Sequence, residues 1–365
     1  MKRICLKEEC IGCLNCYNAC KVEAIKLIQD ELGFTYAEID EEKCVKCAVC
    51  KNKCPILNTQ EKQNLINECY ATKNKDESVR LKSSSGGMFY EFAKYVISKG
   101  GAVYGAILDS TLNVVHKRIE SIDEVGGLMG SKYVQSNVKN VCVEVKQDLE
   151  QGTIVLFTGT PCQIAALKVY LGKEYEKLYL QDFVCHGVGS KKVLDRHIQE
   201  IKQELELSNI TDINFRDKAS GWKRFSLSIK AKEGTYSKDL MQDNFMKTFL
   251  KNLCLRESCY KCKYKGEKRM SDITLADFWG VDKVITDFDD DKGASAVIIN
   301  TNKGKELFEN IKDNIITCKV EYDDISSNNI CLENPPIYNR HRENFIKDIE
   351  CGVKLSQLKE EYYTR

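Results

Sequence analysis

The sequence predicts a mixed α/β domain preceded by a small, cysteine-rich α+β module. Three observations carry this reading. Nine of the 19 cysteines fall within the first 54 residues, the runs they form repeat at a fixed offset, and beyond residue 83 short strand-like runs alternate with helix-like ones. With 42% hydrophobic and 30% charged residues, the 365-residue chain is too apolar for disorder and long enough for one large or several modest cores. Its 55 Lys and Arg balance 54 Asp and Glu, which leaves no bulk attraction for nucleic acid or anionic lipid.

The first residues lack an apolar leader segment, and the longest charge-free stretch, 151–167, is interrupted by Gly152, Gly159 and Pro161. No membrane span is therefore expected. The expected compartment is cytoplasmic, where clustered thiols signal metal or redox chemistry more often than disulfides.

Shifting the chain against itself by 34 residues lays Cys10, Cys13, Cys16 and Cys20 on Cys44, Cys47, Cys50 and Cys54. Both runs read C-x-x-C-x-x-C-x-x-x-C, the spacing of bacterial two-cluster ferredoxins, in which the fourth cysteine of each run serves the other cluster. Pro55 fits that pattern and Lys21 departs from it. Cys10, Cys13, Cys16 and Cys54 are thus the expected ligands of one [4Fe-4S] cluster, and Cys20, Cys44, Cys47 and Cys50 of the other. Three thiolates two residues apart can wrap one cubane, and the fourth must arrive from elsewhere. Zinc is the competing reading, since paired thiolates also make closed tetrahedral sites. Residues 24–28 and 33–39 alternate apolar and polar around a turn at 30–33, which predicts a hairpin. Nine basic and nine acidic side chains in residues 1–60 give no charge-based clue to a partner.

Residues 61–82 turn polar and read as a linker, which places the module at 1–60 and the larger domain at 83–365. There the pattern predicts helices over 86–98, 138–149 and 161–171. It predicts strands over 102–108, 153–157, 178–185, 225–230 and 272–276. Thr158, Gly159, Thr160, Pro161 and Gln163 form a strand-to-helix turn whose free N–H groups suit a phosphate, and Ser84, Ser85, Gly86 and Gly87 offer a second such turn. Cys162, Cys185, Cys259 and Cys262 could make a third four-thiolate site, with Cys254 able to replace one of them; spacing alone does not choose iron–sulfur over zinc. A loop over 215–223, with Arg216, Lys218, Trp222 and Lys223, could clamp an anion, and Asp277, Phe278 and Trp279 make another strand-end cluster.

As an ordered set, Ser84-Ser85-Gly86-Gly87, residues 130–136, Gly159-Thr160-Pro161-Cys162-Gln163, Cys185-His186-Gly187-Val188, Cys259-x-x-Cys262 and residues 276–280 resemble the coenzyme F-420 hydrogenase/dehydrogenase beta-subunit family. The resemblance runs from about residue 65 to the C-terminus. It implies an α/β flavin-binding domain carrying FAD and, on Cys162, Cys185, Cys259 and Cys262, its own [4Fe-4S] cluster, which makes three clusters in all with the two of the N-terminal module. Ser84, Ser85, Gly86, Gly87, Lys132, Tyr133, Gln135, Ser136, Thr158, Gly159, Thr160, Pro161, Gln163 and His186 are then the implied flavin contacts, while no catalytic residue is assigned. The implied activity passes electrons between a ferredoxin or partner redox subunit and a small organic hydride acceptor, with coenzyme F-420 itself a candidate substrate. The alternative is a relay subunit without substrate chemistry of its own. Oligomeric state is not legible.

Overall fold

The computed structural model describes residues 2–58 and 68–364. At the N-terminus, β3 (Thr35–Ile39) pairs antiparallel with both β1 (Lys2–Arg3) and β2 (Ile25–Gln29). The hairpin turn is held by Asp30, whose carboxylate accepts from the N–H of Leu32 and of Phe34, and by Gly33 at φ +80°. Side chains alternate across β3. Ala37 and Ile39 join Ile25 in a small core beside the cysteines, whereas Tyr36, with Leu32 and Phe34 from the turn, enters the largest core of the molecule.

Eleven further strands follow: β4 (Glu68–Asn74), β5 (Ala102–Leu108), β6 (Val114–Ile119), β7 (Val155–Gly159), β8 (Leu178–Phe183), β9 (Ile210–Asp217), β10 (Ser226–Ala231), β11 (Thr235–Asp239), β12 (Ile273–Asp277), β13 (Ser295–Ile299) and β14 (Ile315–Val320). Eight form one sheet in the order β14-β4-β13-β12-β8-β7-β5-β6. Its centre, β12-β8-β7-β5, is parallel, and the remaining pairings are antiparallel. Val103 and Leu156 face a layer containing helix Met88–Ser98 and Leu307 and Phe308 of helix Asn302–Glu309. Their neighbours Tyr104, Val155 and Phe157 face helices Val141–Glu150 and Pro161–Leu171 on the other side. Burial on both faces explains why the central strands read as continuous apolar runs. A second sheet, β11-β10-β9, packs with helices Lys191–Glu204, Asn244–Leu250 and Arg342–Glu350 in the largest core.

Two sequence expectations need correction. The polar stretch taken as a linker over 61–82 contains β4, an inner strand between β13 and β14, and helix Glu77–Lys82; of that stretch, residues 61–67 lie outside the described residues. Its alternation of polar with small or apolar residues hid a strand flanked on both sides. The loop expected at 215–223 begins as strand, because Phe215, Arg216 and Asp217 close β9.

Candidate functional site

The 34-residue repeat is written in the backbone. Gly12 and Leu14 flank Cys13 at φ +72° and +59°, and Lys46 and Ala48 flank Cys47 at +58° and +60°. Two left-handed residues within three turn the chain tightly, a conformation few non-glycine residues adopt. Each loop runs into a short helix, Asn15–Ala19 or Val49–Asn52. In the first loop the N–H groups of Gly12, Asn15 and Tyr17 are directed at the sulfurs of Cys10, Cys13 and Cys16. Such donors steady thiolate ligands.

Cys10, Cys13, Cys16 and Cys54 line one cavity of about 510 Å³, and Cys5 lines it too. The Cys5 thiol lies in hydrogen-bonding reach of Cys10 and Cys54, which lowers both their pKa values and raises its own. Cys20 packs beside Cys44 and Cys50 in the small core, and Cys47 at the tip of the second loop is exposed.

Cys162, Cys185, Cys259 and Cys262 meet at a second, larger cavity of about 750 Å³. Cys162 stands in the first turn of helix Pro161–Leu171, Cys185 just beyond β8, and the other two on and after the 3-10 turn Glu257–Lys261. Thr160 Oγ1 lies 3.1 Å from Cys162 Sγ, and the Val188 N–H donates to Cys259 Sγ at 3.4 Å. Cys254 does not line this cavity; it is fully buried in the main core.

Burial pushes Cys16 and Cys162 up to about 12 and Cys259 to about 11, and it raises Cys13 and Cys185 well above the ordinary thiol value. Keeping such groups as thiolates requires a cationic centre among them. Four cysteine sulfurs converge on each cavity, a donor set whose chemistry fits an iron–sulfur cluster.

The phosphate turn is less open than its sequence implies. Thr160 and Gln163 form a reciprocal capping box, the Gln163 side chain accepting from the Thr160 N–H at 2.8 Å, and Pro161 has no N–H to offer. Much of this helix end is thus satisfied internally, and its first turn instead presents the Cys162 thiol to the cavity. Gln163 Nε2 also donates to Ser136 Oγ at 3.0 Å. A Cβ on Gly159 would lie 2.9 Å from Gln163 Oε1 and so press on the capping box, and the Thr158 carbonyl meets His116 Nε2 at 3.1 Å.

The turn at 84–87 is pinned from several directions. Ser84 Oγ accepts from the Ser131 N–H at 2.7 Å, Ser85 Oγ donates to the Ala294 carbonyl at 2.6 Å, and the Gly86 N–H donates to Ser295 Oγ at 2.8 Å. Gly87, at φ +89°, starts helix Met88–Ser98. Arg216 makes a bidentate pair with Asp277 at 2.8 and 2.9 Å and also donates to Tyr133 Oη and the Ser84 carbonyl. Lys218 donates to the carbonyls of Arg80, Ser85 and Lys292, and Lys223 pairs with Asp289 at 2.6 Å. Arg216 and Lys218 are thus taken up by groups of the protein and Lys223 by a surface ion pair, rather than standing free to clamp an anion. Trp222 donates to Asp277 and stacks on Trp279 at 4.6 Å.

Lys132 donates to the carbonyls of Gly127 and Met129, and burial brings its ammonium down to about 7. His186 is held between Asn252 Oδ1 at 2.7 Å and Cys331 Sγ at 3.3 Å, its ring tilted against that of Phe249. Gln135 points elsewhere: its Nε2 donates to the Ile11 carbonyl of the N-terminal module at 3.0 Å, and its Oε1 accepts from Arg256 at 2.8 Å. Sequence reasoning missed Arg256 and Cys5. The available signal was proximity in sequence, Arg256 lying three residues before Cys259 and Cys5 five before Cys10.

Paired four-cysteine loops against an α/β sheet define an iron–sulfur redox protein. Residues 9–57 match the 4Fe-4S dicluster domain, and residues 152–324 match the family described as the C-terminal part of the beta subunit of coenzyme F420 hydrogenase/dehydrogenase. The first match is to an iron–sulfur domain, and the second is to a model whose description is that of an oxidoreductase subunit. Among solved structures, a chain of the F420-reducing [NiFe] hydrogenase complex from Methanosarcina barkeri, studied after xenon derivatization, is similar at 16% identity. The match has a TM-score of 0.48 and covers 74% of this chain and 87% of that one. No curated protein matches. Among the described residues no helix is long and apolar enough to cross a membrane.

Proposed function

We propose that the chain is an iron–sulfur flavoprotein oxidoreductase that exchanges single electrons with a ferredoxin or partner redox subunit and a hydride with a deazaflavin or another small organic acceptor. The observation that carries the reading is the meeting of Cys162, Cys185, Cys259 and Cys262, from three separate segments, at one cavity beside the dicluster module. Their chemistry supports a third [4Fe-4S] cluster, on the domain organisation 1–60 and 83–365, with β4 moved from linker to domain.

FAD would supply the conversion between one-electron and two-electron chemistry. Support for its place comes from the carboxyl edge of the parallel strands, where α/β sheets bind ligands. Residues 84–87, 131–136 and 158–163 are joined there through Ser84–Ser131 and Gln163–Ser136. Half-buried His116, beside Thr158 and within the field of Lys132, has its enclosed Nδ1 without a partner. Lys132 would counter a phosphate, and His116 Nδ1 would meet a polar ring atom. Arg216, Asp277 and Tyr133 keep the Ser84 turn in place.

Iron, acid-labile sulfide and extractable flavin, measured on protein prepared without oxygen, test the reading. About twelve iron and one flavin per chain are expected from three cubanes and FAD. About eight iron without flavin would refute it in favour of the relay subunit.

A further inference from the structure

Arg256 is 1% exposed, and a charge so deeply buried needs partners. Its Nε donates to the Cys10 carbonyl at 2.7 Å, Nη1 to Gln135 Oε1 at 2.8 Å and Nη2 to the Thr35 carbonyl at 3.0 Å; Nη2 also stands 3.6 Å from Cys10 Sγ. The guanidinium lies 4.3 Å from the centre of the Tyr36 ring. The anion it faces is therefore the Cys10 thiolate. In the other direction its own carbonyl accepts from the Cys259 N–H at 3.0 Å. One residue thus links a ligand position of the dicluster module to one of the larger cavity, through two hydrogen bonds and its own covalent frame. The second module loop, with exposed Cys47, turns to the outside.

We propose that Arg256 is the junction between the Cys10 site and the Cys259 site, fixing the order of electron passage and raising the potential of the centre that Cys10 holds. This rests on the reading that both cysteine sets carry clusters. The transfer moves one electron: the centre at one end is oxidised by one, the other reduced by one, and no bond or proton moves. A buried cation favours the reduced, more negative state of the nearer centre, and the pair of hydrogen bonds makes the Cys10 side, not the Cys20 side, the neighbour of the third site. Arg256 acts as a positioning residue, since it reaches the iron only through Cys10.

The test uses full-length holoprotein, with R256Q and R256K, in redox titrations against dithionite followed by electron paramagnetic resonance. In R256Q with iron content intact, one module centre should show its reduced-to-oxidised ratio at fixed ambient potential fall about tenfold, equivalent to about 59 mV for a one-electron couple. The other module centre should stay put. R256K, which keeps the charge and loses the fork, should shift that same centre by less. Where R256Q fails to assemble, R256K decides. Unchanged potentials in the assembled variant, or an equal shift in every centre, would overturn the proposal. Failure of the underlying reading is separable: wild type would then hold about eight iron and Cys259→Ser would lose none.

Discussion

Replacing Gly12 with alanine tests how the dicluster module is seated. Gly12 and Gly100 share nearly the same backbone, φ +72° and +73°, but a Cβ on Gly100 would meet nothing within 4 Å. Gly100→Ala therefore isolates the left-handed penalty, about 1–2 kcal/mol. Gly12→Ala carries that penalty and drives a methyl to 2.7 Å from Gln135 Nε2 and 2.8 Å from Arg256 Nη1. Both side chains must retreat, which strains the Gln135–Ile11 and Arg256–Cys10 hydrogen bonds. Losing one neutral and one charge-assisted bond adds about 2–4 kcal/mol. Denaturant titration of anaerobic holoprotein, read by visible cluster absorption, should show Gly12→Ala destabilised by about 3–6 kcal/mol and Gly100→Ala by about 1–2. Equal losses in the two variants would refute this seating. Lys46, the repeat partner of Gly12, already bears a left-handed backbone with a side chain, so backbone geometry alone does not demand glycine.

Cys5→Ala should retain the full iron count, because Cys10, Cys13, Cys16 and Cys54 complete that set without it; loss of about four iron would make Cys5 a ligand. Cys254→Ala should likewise keep its iron, with only a packing loss of about 1 kcal/mol from the core, as read by iron assay and denaturant midpoint. Lys132, held near 7 by burial, binds fewer protons folded than unfolded between about pH 7 and 10. Its presence therefore makes stability rise with pH across that window, at no more than about 1.4 kcal/mol per pH unit. Lys132→Met should flatten that slope and stabilise the flavin-free chain at pH 8, seen in denaturant midpoints, while lowering flavin retention on gel filtration.

The cysteine loops were legible because their chemistry fixes their spacing, and the alternation of 24–39 announced the hairpin. Helix Pro161–Leu171 was announced by Thr160 and Pro161 at its start and by Gly172, at φ +72°, after its end. The same residues also read as a phosphate turn, since a capping box and a phosphate site use the same atoms. β4 was not legible: between antiparallel neighbours its partners come from residues 295–299 and 315–320, more than 200 positions away, and no local signal encodes that pairing. Arg216 and Lys218 read as free cations because the carboxylate and carbonyls that occupy them lie far off in sequence.

The contacts that seat the dicluster module have a common form. Asn15 donates to the Ala166 carbonyl, Lys53 to that of Tyr170, Ser190 to that of Leu32, Lys192 to that of Glu31, and Gln135 and Arg256 to those of Ile11 and Cys10. A side chain reading a main-chain oxygen is indifferent to what residue carries that oxygen. Four of these six contacts therefore read the path of the module's chain, while Asn15, Lys53 and the core-bound Leu32, Phe34 and Tyr36 make the rest of the seat depend on which residues the module carries. The module's other surface side chains can drift to suit a different electron carrier while the seat is kept, so a graft of another dicluster module should take where it keeps Gly12, Asn15, Lys53 and the apolar hairpin face of Leu32, Phe34 and Tyr36.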